Sequence, residues 1–202
     1  MLMMLDISEE AHLVKKLIEN KYPKQNKNKF LLINLNNQQL TLIIDLKEIN
    51  SYDISSSKYG TGNLNNSYQT PLGLHRINDK IGENQPMNTI FKGRKIVEGG
   101  ITIEDLSKPE FKNFKNKHFE EFDDLITSRI LWLKGCEEGI NLGDNIDTYK
   151  RFIYIHGTAH EELIGQVASY GCIRMRNRDV IELFDSVDKG TFVYIYDKKV
   201  NL

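Results

Sequence analysis

The chain has 202 residues, with 27 basic and 28 acidic side chains, 40% hydrophobic and 27% charged residues. That length fits one domain around one core, with room for a small appendage. The near-zero net charge gives no electrostatic basis for binding nucleic acid or an anionic membrane. Two cysteines, Cys136 and Cys172, are too few for a disulfide scaffold, and no span reaches the ~18 apolar residues of a membrane-crossing helix.

The opening Met1-Leu2-Met3-Met4-Leu5 is apolar but runs at once into Asp6, Glu9 and Glu10. It has no basic leader, no full apolar stretch and no small-residue cleavage site, so it does not read as a signal peptide. Residues 8–20 predict an amphipathic helix, with Ser8 as cap and Leu13, Val14, Leu17 and Ile18 on one face. Tyr22-Pro23 ends it, and a polar linker follows to Lys29.

From Phe30 the pattern turns to strands. Phe30–Leu35 and Leu40–Asp45 flank Asn36-Asn37, a pair that tolerates positive φ in a tight hairpin. Ile49–Ile54 reads as a weaker strand. A polar, glycine-bearing loop over 55–69 then leads into Thr70-Pro71-Leu72-Gly73-Leu74-His75-Arg76-Ile77. Short apolar segments at Thr89–Phe91 and Ile101–Ile103 precede a charged stretch, 108–124, expected to be a solvent-exposed insertion. Arg129–Leu133 and Phe152–Ile155 predict two further strands. Asn177 is positioned to cap a helix through Asp188, with Val180, Ile181, Phe184 and Val187 as its buried stripe and Gly190 as its stop. Thr191–Tyr196 closes the chain as a strand.

The chemistry concentrates in two short words, Tyr154-Ile155-His156-Gly157-Thr158 and Ser169-Tyr170-Gly171-Cys172-Ile173-Arg174-Met175. A thiolate is the nucleophilic form of cysteine, and a neighbouring imidazolium lowers the thiol pKa from about 8.5. Taken singly, His156 also fits a satisfied half-buried histidine, and Cys172 a small buried hydrophobe. As a pair they fit a nucleophile with its base. His156 is expected at the end of the strand Phe152–Ile155, and Cys172 just before a capped helix, where the N–H groups of Gly171 and Cys172 would meet an oxyanion. Arg174 and Arg176 are candidates for holding a carboxylate. His12, His118 and His160 read as surface residues, and Asp144, Asp147, Glu161 and Glu162 as solvated. One plausible histidine and one cysteine are too few for a tetrahedral zinc set, so no metal and no cofactor is expected.

These words, with Asn177, Asp179 and the upstream Thr70-Pro71-Leu72-Gly73 segment, resemble the signature of the YkuD-type L,D-transpeptidases over roughly residues 28–198. The resemblance implies a mostly β, β-sandwich-like catalytic domain over 28–202, preceded by an N-terminal helix and linker over 1–27. It implies a cell-envelope or periplasmic enzyme whose partners are peptidoglycan stem peptides. Cys172 would attack the diaminopimelate–D-alanine bond of a tetrapeptide stem and pass the thioester to an acceptor amine. Trimming of the stem by water, or binding of wall peptides with weak catalysis, are the alternatives. By the same resemblance His156 is the base, and the Gly157 carbonyl orients it. Gly171 and Cys172 supply the oxyanion donors, while Ser169, Tyr170 and Arg174 border the substrate. His75, Arg76 and Arg94 lie in segments near the groove and are given no role. The chain departs from the family pattern at Tyr170, where a histidine is usual. A phenol with pKa ~10 donates hydrogen bonds but is no base near neutral pH.

Overall fold

A computed structural model describes residues 7–97, 99–118 and 125–198. The apolar start, Met1–Leu5, and the 119–124 part of the charged stretch lie outside the described residues. Helix α1 (Ile7–Lys21) begins one residue before Ser8, which therefore sits within its first turn rather than at its cap. Its apolar stripe buries Ala11, Val14 and Ile18 completely, with Leu13 and Leu17 partly covered. Complete burial of a Val or Ile side chain contributes about 1.5–3 kcal/mol. The helix lies against Phe30, Leu32, Phe192, Tyr194 and Tyr196, and is pinned at its far end by a 2.7 Å Lys21–Glu137 ion pair.

One polar contact under α1 has a thermodynamic consequence. Glu10 is buried and accepts a hydrogen bond from the Tyr196 hydroxyl. Burial is the largest influence on its carboxyl and raises its pKa above the usual value of 4.5. A raised folded-state pKa means that the stabilising, protonated form is fully present below the unfolded value and is lost as pH rises through the folded one. Stability should therefore fall as pH climbs from about 4.5. Glu10→Gln, which keeps a polar group opposite Tyr196, should flatten that decline in urea midpoints measured across pH. An unchanged pH dependence in the variant would contradict this reading.

Strands β1 (Lys29–Asn34) and β2 (Gln39–Ile44) form the expected antiparallel hairpin. Its left-handed residue is Gln38, at φ 49°, rather than Asn36 or Asn37. Asn34 Oδ1 accepts the N–H groups of both asparagines at 3.1 and 3.4 Å, shaping the turn locally. Buried Gln38 uses its amide to hold Leu35 O, Ser56 Oγ and Ser56 N–H. Long-range bonds thus offset the backbone cost at this position.

The remaining elements are β3 (Lys47–Ser55), β4 (Gly73–Ile81), β5 (Ile90–Lys92), β6 (Lys95–Ile96), α2 (Ile103–Leu106), α3 (Lys112–His118), β7 (Ile126–Gly135), β8 (Tyr154–Thr158), β9 (Ile173–Met175), α4 (Asn177–Ser186) and β10 (Phe192–Tyr196). All strands belong to one sheet, in the order β4-β10-β1-β2-β3-β9-β8-β7-β5-β6, and β4 also pairs with β7. That second pairing closes the strands from β4 round to β7 into a ring. The fold is mostly β, as the sequence suggests, with its layers continuous around one core. Period-two alternation sends Leu31, Ile33, Leu131, Leu133, Val193 and Ile195 inward. The inward face of α4 adds Val180, Leu183 and Phe184, and Val187 follows at its C-cap, so Leu183 takes the place expected for Ile181. β10 is buried on both faces, because α1 covers the aromatic side that would otherwise meet water.

The charged stretch is partly ordered on its described side. Thr102 forms a capping box with Asp105 at the start of α2. Phe111 and Phe114 pack onto a small satellite core of Ile90, Val97, Ile101 and Leu106. Among the described residues no helix is long and apolar enough to cross a membrane.

Candidate active site

β8 and β9 run parallel, with Ile155 opposite Ile173, His156 opposite Arg174 and Gly157 opposite Met175. Ile153, Ile155, Ile173 and Met175 all enter the central core. Strand alternation therefore puts Tyr154, His156, Cys172 and Arg174 together on the other face. Cys172 lies one step before Ile173, next to Tyr154, whose N–H donates to its Sγ at 3.4 Å. His156 is then its diagonal neighbour, roughly 8 Å away between Cα atoms from strand spacing and rise. The structure thus brings the two proposed reactive residues to one face.

His156 is in mid-strand and buried, not at the strand's end, because β8 runs on to Thr158. Its Nδ1 is 2.7 Å from Gly157 O. A carbonyl oxygen only accepts, so Nδ1 carries the proton, and Nε2 of the neutral ring is the basic nitrogen. Gly157 is required by space. A Cβ there would come within 2.5 Å of Asn177 Oδ1 and 2.7 Å of Thr127 O.

The nucleophile turn is held from several sides. Ser169, fully buried, donates through Oγ to Cys172 O at 2.5 Å and accepts the Gly171 N–H at 3.2 Å. Thr70 Oγ1 accepts the Ser57 N–H at 3.0 Å and donates to Gly171 O at 3.1 Å. This gives a physical reason for a threonine at the start of the Thr70-Pro71-Leu72-Gly73 segment. Gly171 sits at φ 120°, which favours glycine. The expected helix N-terminus is not adjacent to the thiol: β9 intervenes, and α4 starts at Asn177. Asn177 itself is no cap. It lies inside the helix, buried, accepting from the hydroxyls of Thr127 and Ser128 at 2.6 Å and donating to Thr158 O at 2.8 Å. Its own N–H is met at 2.7 Å by Glu161 Oε1, so a carboxylate read as solvated serves the helix end.

Around the sulfur, the Cys172 side chain packs against Phe91, Ile130, Trp132 and Tyr154, and its Sγ donates to Phe152 O at 3.5 Å. Phe152 has φ 58°, a strained conformation for an aromatic residue, directly beside the thiol. Arg94 lies 4.8 Å from both the Trp132 and Phe152 ring centres and donates to the Tyr154 hydroxyl at 3.2 Å. Arg151, missed by the sequence reading, donates to Gly62 O, Ser67 Oγ and Gln69 O at 3.1, 3.3 and 2.7 Å, tying the 62–69 loop to the site. Burial draws its guanidinium below the usual pKa, and negative charge on Cys172 pulls it back up. Nothing local in Tyr149-Lys150-Arg151-Phe152 marks that role, because its partners are far along the chain.

Of the other candidates, Arg174 shares the reactive face and the rest lie on its border or away from it. Tyr170 is half-exposed, and its hydroxyl accepts from Lys58 Nζ at 3.0 Å. Arg174 is buried between His156 and Ser55 in the sheet register. Arg176 pairs with Asp53 at 3.1 Å on the surface. His75 is buried against Gly73 O and Thr148 Oγ1, and burial lowers its pKa to about 4, a structural histidine. Neither cysteine is in a disulfide. Cys136 belongs to the α1 cluster, and burial pushes its thiol up to about 11, which leaves it little thiolate at neutral pH. Among the described residues no group of three or more His, Cys, Asp or Glu side chains is arranged to hold a metal ion.

Comparison with known proteins gives a consistent picture. Residues 28–195 match the YkuD family, the L,D-transpeptidase catalytic domain. YqjB of Bacillus subtilis, named as an L,D-transpeptidase, is 49% identical over 47 residues, 23% of this chain and 27% of that protein. YkuD of the same organism is 52% identical over 46 residues, 23% of this chain and 28% of that protein. These matches span little more than a quarter of either relative. The structure of L,D-transpeptidase 3 from Mycobacterium tuberculosis, in complex with a faropenem-derived adduct, shares the fold at a TM-score of 0.50 and 13% identity, over 84% of this chain and 60% of that one. With the family match running from the first strand almost to the end of the last, this chain belongs to the YkuD family of L,D-transpeptidase catalytic domains.

Proposed function

We propose that this protein is a peptidoglycan L,D-transpeptidase in which Cys172 is the nucleophile and His156 its base. The observation that carries the reading is the parallel β8–β9 register, which places both side chains on one face, with the imidazole oriented by Gly157 O. The Cys172 thiolate attacks the carbonyl of the diaminopimelate–D-alanine bond in a tetrapeptide stem. The oxyanion forms beside the Cys172 N–H, a kind of contact typically worth ~3 kcal/mol. Gly171 contributes the turn geometry, its own N–H being engaged by Ser169. The tetrahedral intermediate collapses to a thioester as the imidazolium protonates the departing amine of D-alanine. An acceptor amine then attacks the thioester, His156 takes its proton, and a 3→3 cross-link results.

The nearby Arg151 guanidinium favours the thiolate over the thiol. Tyr170 borders the substrate without replacing the base, so its departure from the family's histidine leaves the Cys172–His156 pair intact. Activity on peptidoglycan places the protein's work in the cell envelope. The test is product analysis of the protein incubated with a tetrapeptide stem, with and without a second stem as acceptor. Release of D-alanine with cross-linked dimer is expected. Tripeptide alone, even with acceptor present, would reassign the protein as an L,D-carboxypeptidase, and no D-alanine release would reject the reading.

A further inference from the structure

A cleft of about 280 Å3 opens between the 65–68 loop and the turn at 150–153, with Tyr170 as one wall. It is at the lower edge of the range of small-ligand pockets, roughly 300–1,000 Å3. It adjoins the thiol, because Phe152, which lines it, is the residue whose carbonyl accepts from Cys172 Sγ. Its polar lining consists of asparagine amides at 65 and 66, Tyr68, Lys150, Arg151 and Tyr170, with no carboxylate among the described residues that form it.

The cations around this cleft are not equivalent. Arg151 has three loop acceptors. Arg94 and Arg176 do not line the cleft, the first lying 4.8 Å from the Trp132 and Phe152 ring centres and the second being paired with Asp53. Lys150 is exposed and its ammonium has no acidic partner among the described residues. Lys58, which does not line the cleft, rests on the Tyr170 ring at 4.2 Å from its centre and donates to its hydroxyl at 3.0 Å. Among the described residues Lys58 forms no ion pair with a carboxylate, its contacts being with the Tyr59 and Tyr170 rings and the Tyr170 hydroxyl. One ammonium group, that of Lys150, therefore lines a cleft that offers amide donors and acceptors and no compensating acid, and a second, that of Lys58, sits against its Tyr170 wall. A site of this kind favours an anionic ligand with a peptide-like backbone.

We infer that this cleft is a carboxylate subsite for the donor peptide, gripped by Lys150 at the turn and by Lys58 braced on Tyr170. The inference rests on Cys172 being the nucleophile of the proposed reaction, since that puts the donor peptide in this cleft. Binding separates it from turnover. Three probes are titrated into the full chain carrying Cys172→Ala: a tetrapeptide stem with free carboxylates, the same peptide amidated at its C-terminus, and the same peptide amidated at its internal carboxylates. One of the two amidations should weaken binding roughly tenfold, and which one does so identifies the carboxylate held. The combined change Lys58→Met and Lys150→Met should remove that discrimination, with the circular-dichroism spectrum unaltered. Equal affinity for all three peptides, no binding of any, or discrimination that survives loss of both lysines would overturn the proposal. If discrimination is found but the unmutated protein releases no D-alanine, the subsite stands and the nucleophile assignment fails. Release without discrimination gives the opposite result.

Discussion

Cys172→Ala should lower D-alanine release from a tetrapeptide stem by about 10⁴-fold or more, the scale seen when a covalent nucleophile is removed. The same change should leave the fold standing. The Cys172 side chain is only partly buried, and its two polar contacts, Tyr154 N–H at 3.4 Å and Phe152 O at 3.5 Å, are long. Deleting one sulfur from such a position costs about 1 kcal/mol. The turn that carries it is held by other groups, Ser169 and Thr70, whose bonds run to the backbone. A thermal melt near that of the unmutated protein together with abolished release is therefore the expected pair of results. Loss of release through unfolding would leave a different signature, a collapsed melting transition.

The second large effect is expected at Gly157, which links fold and chemistry. Its carbonyl sets the His156 tautomer, and its missing side chain lets β8 pack against β7 and α4. A methyl group there meets a backbone oxygen, Thr127 O, at 2.7 Å, and Asn177 Oδ1 at 2.5 Å. Neither can move freely. The first belongs to a paired strand, and Asn177 is bonded at once to Thr127, Ser128, Thr158 and Glu161. Gly157→Ala should therefore destabilise the protein by about 1–3 kcal/mol. It should also lower activity further than the stability loss explains, because a shift of β8 carries His156 away from Cys172. Urea midpoints and the release rate under fully folded conditions separate the two effects. Full activity in a stable Gly157→Ala protein would show that the position accepts a Cβ without displacing β8 and His156.

How much of this was legible in the residues follows the range of the interactions involved. The α1 stripe, the first hairpin and the closing strand are local patterns, and each is found within a residue or two of its expected place. The His156 and Cys172 words stand out because glycines beside a reactive side chain are informative on their own. Closure of the ring through β4 depends on pairing between segments distant in sequence, and no local periodicity carries it. The same holds for Arg151, whose acceptors lie in the 62–69 loop, and for Glu161, which meets α4 from the preceding loop. The β8 boundary was misplaced because an apolar count stops at Ile155, whereas the ladder continues through the polar His156, Gly157 and Thr158. Asn177 has the residue type of a helix cap and a different use, since buried hydroxyls on β7 compete for its amide.

Acyl transfer through one sulfur is tested most directly by the intact mass of the protein after brief incubation with a purified tetrapeptide stem. The account predicts a covalent adduct equal to the peptide less D-alanine, mapped to Cys172, lost on addition of acceptor amine and absent from Cys172→Ala. D-alanine release by the Cys172→Ala protein, or an adduct mapped to another residue, would contradict it.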